Sequence, residues 1–246
     1  MEKPNFFALI IGTEILNQRR EDKHFKFLAS TLARYGQKLS GSFVIEDDPA
    51  LIIQTLRFIA SQPNPVLFSF GGIGSTPDDH TRHCAAVAFR DAKLYQHPEA
   101  TKIIHHRFKN PPPYALEIAQ LPRRAKLLAN PVNQMPGFYL DDRYFFMPGF
   151  PEMSHPMVED ILKRFFATRR VQHRYTLTAL CKESELIDVM KQMPKGVEFS
   201  SLPKLYNDGW KVIISVASED QKLAEESFGL FEEALTKKGI YFSLGE

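Results

Sequence analysis

Cysteine is scarce in this sequence, with two residues in 246, Cys84 and Cys181. They lie far apart and form no Cys-x-x-Cys pattern, so a structural zinc site has no support and both read as reduced, packed thiols. Excess charge of one sign is also lacking. The formal charge is +2, from 31 basic and 29 acidic residues, and the Arg19-Arg20 and Arg169-Arg170 pairs are too short to make a basic run. A nucleic-acid binder usually carries a stronger basic excess, so no nucleic-acid partner is expected. Long apolar runs are missing as well: none approaches the roughly 18 residues needed to span a bilayer. The run Phe6 to Ile11 is too short for a signal h-region followed by a cleavage site. The expectation is a cytoplasmic protein with no membrane partner. What is present is ordinary for a folded chain, 43% hydrophobic and 24% charged residues, in a length that accommodates a domain of roughly 150 residues plus a small one.

Phe6 to Ile11, ended by Gly12, reads as a buried parallel strand. Phe25, Leu28, Leu32 and Tyr35 recur at helical spacing, and Gly36 is placed to end that helix. Leu39 to Ile45 reads as a second strand. Asp48 then caps a helix with Pro49 in its first turn and Leu51, Ile52, Leu56 and Ile59 on its apolar face. Val66 to Phe70 is a third strand running directly into Gly71-Gly72, and Asp79 to Phe89 reads as the next helix. This alternation predicts a parallel sheet covered by helices on both faces, with the Gly-rich loop at a strand's carboxyl end, where open α/β sheets bind ligands. Further on, His97 to Phe108 reads as a helix broken by Pro111-Pro112-Pro113. Phe138 to Leu140 and Tyr144 to Met147 read as a strand pair across Asp141-Asp142-Arg143. Pro148 to Pro151 is a tight turn, and a helix follows from Glu152 to about Phe166, closed by Thr168-Arg169-Arg170.

A second pattern begins near residue 172. Tyr175 to Leu180 is a strand, Ser184 to Met193 a helix, Val197 to Leu205 and Lys211 to Val216 strands, Gln221 to Lys238 a long helix and Ile240 to Leu244 a last strand. That β-α-β-β-α-β order is a split βαβ unit of ferredoxin-like type. The expected architecture is therefore a three-layer αβα domain with a mostly parallel sheet over residues 1–172, followed by a small α+β domain over 173–246.

The strongest chemical signal is Gly71-Gly72-Ile73-Gly74-Ser75-Thr76-Pro77-Asp78-Asp79. Its glycines let the backbone turn sharply and approach a ligand. Successive N–H groups in such a turn form an anion nest, and the following helix N-terminus adds positive potential. Ser75 and Thr76 offer hydroxyls. Asp78 and Asp79 offer carboxylates able to hold a divalent metal. The bland alternative is a Gly-rich connection in which Asp78 or Asp79 caps the next helix. His80 and His83, three residues apart, have no visible third ligand partner and read as polar helix residues. The twenty phenylalanines read as core, with none assigned as a cofactor platform.

This loop resembles the signature of the molybdopterin-binding domain of MoaB/MogA type, in its CinA-type branch. Further stretches match that branch in order: Ile11-Gly12-Thr13-Glu14-Ile15-Leu16, Glu46-Asp47-Asp48-Pro49, Asn130-Pro131 with Pro136-Gly137-Phe138, and Met147-Pro148-Gly149-Phe150-Pro151-Glu152-Met153. The resemblance covers about residues 6–168. It implies the αβα fold of molybdenum-cofactor biosynthesis domains and a cleft for a phosphate-bearing small molecule, a pterin or a nucleotide. Gly71, Gly72, Ile73, Gly74, Ser75, Thr76, Gly149 and Glu152 would bind that ligand. Branch members are linked to metal-dependent hydrolysis of nucleotide pyrophosphates such as ADP-ribose and FAD. The resemblance carries Asp79, Asp78 and Asp47 over as catalytic residues, and these three with Glu14 as ligands to Mg²⁺, Mn²⁺ or Co²⁺. Lys23 or Arg82 would offset transition-state charge. Relatives often self-associate, which implies a homo-oligomer. Longer relatives add an amidohydrolase domain, which residues 1–246 do not contain and whose activity is not expected of them.

Departures from the branch pattern fall at Thr13, where Asp is usual, at Ser75, where Pro is usual, and at His24, where Asn is common. In the adenylyl-transferring members an Arg typically stands where Asp78 does, so molybdopterin adenylation is not expected. Two functions stay open: a metal-dependent nucleotide pyrophosphatase, and a protein that binds molybdopterin or a nucleotide without turning it over.

Overall fold

The computed structural model describes residues 3–167, 171–206 and 209–245. The chain divides into two compact units, Met1–Arg169 and Arg170–Glu246. In the first unit the elements run β1 (Asn5–Ile11), α1 (Thr13–Leu16), α2 (His24–Arg34), β2 (Leu39–Ile45), α3 (Pro49–Ala60), β3 (Pro65–Phe70), α4 (Thr81–Phe89), β4 (Leu94–Gln96), α5 (Pro98–Arg107), α6 (Pro113–Glu117), β5 (Gln120–Pro122), β6 (Lys126–Leu128), β7 (Gly137–Leu140), β8 (Tyr144–Met147) and α7 (Pro151–Phe165).

Six of these strands form one sheet in the order β2-β1-β3-β8-β7-β6. β2, β1, β3 and β8 are mutually parallel, while β7 runs antiparallel to both of its neighbours. The strands are continuously apolar because both faces are covered. Phe6, Ala8 and Ile10 of β1 and Val66, Phe68 and Phe70 of β3 pack against α2 and α7 through Leu28, Leu32, Val158 and Ile161. The alternate residues Phe7, Leu9, Ile11 and Leu67 pack against Ile52, Leu56 and Ile59 of α3 and Cys84 of α4. The strand period of two thus divides one sequence run between two cores.

The registers fix where the site lies. Ile11 pairs with Ile45, Ile10 with Phe70, and Phe70 with Met147. The turns that leave β1, β2, β3 and β8 therefore gather at one edge of the sheet. There the backbone approach is very close: a Cβ on Gly149 would lie 3.3 Å from the Cα of Gly71, and the Gly71 N–H donates to Met147 O at 3.0 Å.

Several elements differ from the sequence reading. The helix after the Gly-rich loop begins at Thr81 rather than Asp79, because the Asp79 side chain is engaged inside the loop. Strands β4, β5 and β6 are three residues each, too short to carry a period, and went unread. Helix α5 ends at Arg107, with Phe108 extended, before the proline run begins at Pro111, and Pro113 then starts α6 at its first position. The β7–β8 connection has both Asp141 and Asp142 at φ +54°, the left-handed pair that a tight hairpin needs.

The second unit comprises β9 (His173–Ala179), a 3₁₀ turn at Glu183–Leu186, α8 (Ile187–Met190), β10 (Glu198–Tyr206), β11 (Gly209–Ser218), α9 (Gln221–Lys237) and β12 (Phe242–Leu244). Its sheet order, β10-β11-β9-β12, is antiparallel throughout, as a split βαβ unit requires. The helix expected over 184–193 is broken into the 3₁₀ turn and one short α-helical piece. Here the Glu185 carbonyl accepts from Lys238 Nζ at 2.6 Å, which competes with regular helical bonding. Leu177, Val212, Ile214, Phe231 and Leu235 form a core of this unit's own. The helix closure expected at 168–170 lies outside the described residues.

Both cores of the αβα unit are built from residues within 1–169. A chain cut back to residues 1–169 is expected to unfold cooperatively in urea. Phe146→Ala, which removes a fully buried ring, should cost about 3–5 kcal/mol in it. Broad, non-cooperative unfolding of that fragment would show that its core is incomplete.

Candidate functional site

A cleft of about 480 Å³ opens where the parallel strands end. It is lined by Gly71, Gly72, Ile73, Gly74, Ser75 and Thr76, by Glu14, Asp47, Asp78, Asp79 and Gly149, and by further residues that the sequence reading did not include. A cavity of about 560 Å³ lies elsewhere, between α5 and residues 127–136. It holds none of the loop residues.

Asp79 organises the loop. Its Oδ1 accepts from the Gly74 N–H at 2.9 Å, and its Oδ2 accepts from the Thr76 N–H at 2.8 Å and the Thr76 hydroxyl at 2.6 Å. The Gly74 carbonyl in turn accepts from Arg82 Nη2 at 2.5 Å, while Arg82 Nη1 donates to the Glu117 carbonyl. Thr81 closes the base, its hydroxyl donating to Gly71 O at 3.0 Å and its N–H to Gly72 O at 2.9 Å. With these bonds made, the N–H groups of Gly72, Ile73 and Ser75 have no acceptor among the described residues. They are the donors left for an anion.

The carboxylates are arranged differently from a metal cage. Asp78 is fully exposed and shares the single Thr76 hydroxyl proton with Asp79, its Oδ1 lying 2.5 Å from Oγ1, a contact that lowers its pKa. Asp47 Oδ2 accepts from both the N–H and the hydroxyl of Thr13, at 2.8 and 2.9 Å. Thr13, where the resembling branch has Asp, is thus a donor that satisfies Asp47. Glu14 lies 3.8 Å from Arg20. Among the described residues no group of three or more His, Cys, Asp or Glu side chains is placed to hold a metal ion.

Other expectations are corrected. Glu152 is exposed in the first turn of α7 and does not line the cleft. Arg82 is buried and tied to two carbonyls, so it shapes the loop rather than facing a reacting group. Burial pushes its pKa down. Lys23 is an exposed residue at the N-cap of α2, away from the cleft lining. Asp48 caps α3 as expected, accepting from Leu51 N–H at 2.7 Å. Both cysteines are free thiols, and burial raises Cys84 to about 11.

The sequence reading missed Arg20 and Phe150, and an apolar wall of Ile118, Met135, Pro136 and Met153. Arg20 donates to the Gly149 carbonyl at 3.1 Å and lies over the Phe150 ring, 5.2 Å from its centroid. His24 Nε2 lies 3.3 Å from the same carbonyl, and its ring stacks on Phe70 at 4.4 Å. Burial lowers its pKa from 6.5 to about 4, so at neutral pH it is uncharged and donates through Nε2.

The sequence as a whole carries the same signature. The family model described as "Probable molybdopterin binding domain" matches residues 7–168. The chain belongs to this molybdopterin-binding domain family. Its relatives include a protein of Archaeoglobus fulgidus, 27% identical over 95% of this chain and 99% of that protein. CinA-like proteins of Gloeobacter violaceus and Acaryochloris marina are 28% and 32% identical, over 94% and 62% of this chain. The chain spans 57% and 38% of those two proteins' lengths. The crystal structure of the protein CinA of Thermoplasma acidophilum, whose function is unknown, shares the fold with a TM-score of 0.60. It is 24% identical and matches 65% of this chain and 98% of that one. No helix of the described residues is long and apolar enough to cross a membrane.

Two outcomes follow from the geometry of this family's loop. Gly72 sits at φ +66°, and a Cβ there would meet Thr81 Oγ1 at 2.3 Å. Gly72→Val is expected to cost about 1–3 kcal/mol and to abolish ADP binding in calorimetry, in a chain still folded by circular dichroism. Undiminished binding would remove the loop from the site. For His24, the unfolded chain binds a proton near pH 6.5, whereas the folded chain binds it only near 4. Below pH 6.5 the unfolded state holds more protons, so stability falls as pH drops from 6.5 to 4, by at most about 3 kcal/mol. His24→Phe should flatten most of that slope in urea unfolding followed across pH; an unchanged slope would assign it to other groups.

Proposed function

We propose that the cleft binds the pyrophosphate of a nucleotide-like small molecule together with a divalent cation, and that the protein hydrolyses that pyrophosphate. The observation that carries this reading is the meeting of unpaired loop N–H groups and four carboxylates in one cleft. The donors of Gly72, Ile73 and Ser75 suit phosphate oxygens, and Asp79 holds them in place by bonding the intervening N–H groups of Gly74 and Thr76. The carboxylates beside them would repel a polyphosphate unless a cation lay between.

The donor set fits such a cation only in part. Asp79 spends both oxygens on the loop, while Asp47 Oδ1 and Asp78 Oδ2 have no acceptor role in any protein hydrogen bond among the described residues. Mg²⁺ is commonly held by one or two carboxylates plus substrate phosphates, which matches this supply better than a complete protein cage. Asp47 or Asp78 would hold the ion together with substrate phosphate oxygens, and the ion would supply polarisation of a phosphoryl oxygen and activation of water. Asp79 then serves as the residue that positions the phosphate cradle.

The second reading, binding of molybdopterin or a nucleotide without turnover, draws on the same hydrogen bonds. They leave few carboxylate oxygens uncommitted. An Asp rather than an Arg at position 78 argues against molybdopterin adenylation, since a guanidinium can pair with an anionic substrate and a carboxylate cannot.

The experiment is a turnover screen with ADP-ribose and FAD in the presence of Mg²⁺, Mn²⁺ or Co²⁺ and in EDTA. Expected are release of AMP, with ribose 5-phosphate from ADP-ribose or FMN from FAD, only with metal, and loss of most turnover in Asp47→Asn. Full rates in EDTA would overturn the metal assignment. Binding without turnover under every condition would replace hydrolysis by the second reading.

A further inference from the structure

The cleft is lined by two chemically different sets of residues. One is the loop with its N–H groups and the carboxylates. The other is apolar and comprises Ile118, Met135, Pro136, Phe150 and Met153. Phe150 stands out because an aromatic ring is normally covered. It is 51% exposed and belongs to neither core of the αβα unit. Its position is nevertheless well fixed. It precedes Pro151, which confines it to extended backbone, and it has φ −96° and ψ 117°. The preceding Gly149 carbonyl is held by Arg20 and His24 together. The Arg20 guanidinium lies over the ring, 5.2 Å from its centroid, and pairs with Glu14 at 3.8 Å. An exposed aromatic beside a hydrogen-bonded guanidinium, in a cleft that also holds unpaired loop N–H groups, has the make-up of a stacking surface for a flat ring.

We infer that Phe150, backed by Arg20, is the platform on which the planar heteroaromatic ring of the ligand stacks while its phosphates occupy the Gly71–Thr76 loop. The inference rests on the phosphate-binding reading for the position of the second anchor and adds the residue that would select the ligand's ring, a flat face wide enough to cover a phenyl. An inorganic or purely sugar pyrophosphate would use only half of the cleft.

The test titrates the full chain by calorimetry, with Mg²⁺ present, using ADP, inorganic pyrophosphate and neopterin. ADP is expected to bind more tightly than pyrophosphate. Base–aromatic stacking lost to alanine typically weakens binding by about tenfold to a hundredfold. Phe150→Ala and Phe150→Leu should each weaken ADP by that factor and leave pyrophosphate unchanged. The leucine variant keeps apolar bulk without a ring, so a loss there points to stacking and not to a disturbed start of α7. Phe150→Trp should retain ADP. The chain has a single tryptophan, Trp210, so in a Trp210→Phe background the new indole's emission should change with ADP and stay constant with pyrophosphate. Tighter binding of neopterin than of ADP, with the same dependence on the ring, would make a pterin the natural ligand.

ADP binding that is unchanged in both Phe150→Ala and Phe150→Leu would overturn the platform. So would equal losses for ADP and pyrophosphate. If wild type binds pyrophosphate but ADP no more tightly, the platform falls and the loop reading stands. If ADP binds through Phe150 but pyrophosphate does not bind at all, the loop reading falls instead.

Discussion

Gly74 is caught between two opposite charges, and the candidate site depends on that. Its N–H is held by the Asp79 carboxylate and its carbonyl by the Arg82 guanidinium. A loop rich in glycine has many conformations, and ordering it costs backbone entropy of about 1–2 kcal/mol per residue. A charge-assisted hydrogen bond contributes roughly 1.5–3 kcal/mol when partly shielded from water. Two of them on one residue, with a further pair from Asp79 to Thr76, oppose that cost before any ligand arrives. The loop is thus preorganised, and the N–H groups left unpaired are those available to an anion.

The same arrangement gives two residues read as chemical groups a part in holding the loop together. From sequence, a pair of aspartates after Gly-Ser-Thr-Pro suggests metal ligands, and an arginine three positions later suggests charge neutralisation. Spacing alone cannot tell whether Asp79 turns back onto its own loop or faces the cleft. The turn-back satisfies the half-buried N–H of Gly74 and the exposed N–H of Thr76. A buried Arg82 follows the same logic: burial disfavours its charge, and two carbonyls with Asp79 nearby compensate.

The fold was largely legible because its long elements are strongly patterned. Phe6 to Ile11 and Val66 to Phe70 are buried on both faces and read as apolar runs, while α3 announces itself through Asp48 and Pro49. Short pieces such as Lys126–Leu128 are strands only because Gly137–Leu140 lies beside them, a tertiary fact with no local signature. The polar half of the cleft was visible as a motif. The apolar half was not, since Ile118, Met135 and Phe150 come from separate segments that chain folding alone brings together. Phe150 was in view within the Pro-Gly-Phe-Pro turn. It shares its exposure with Phe25 and Phe58, at 49% and 52%, and of those three it alone lines the cleft, a placement that is not written in a sequence.

The charges around the cleft bear on how fast a ligand arrives. Among its lining residues four are acidic, Glu14, Asp47, Asp78 and Asp79, and one is basic, Arg20. Loop N–H dipoles act over a single contact, whereas net charge acts over a Debye length of about 8–10 Å. An approaching anion is therefore repelled at a distance and attracted only on arrival. Association should then be slow at low ionic strength and quicken as salt screens the carboxylates, the reverse of electrostatic steering toward a basic pocket. A stopped-flow association rate for ADP that falls with added salt would contradict this. On this view the site gates its own encounter kinetics, favouring ligands whose charge is already partly neutralised by a cation.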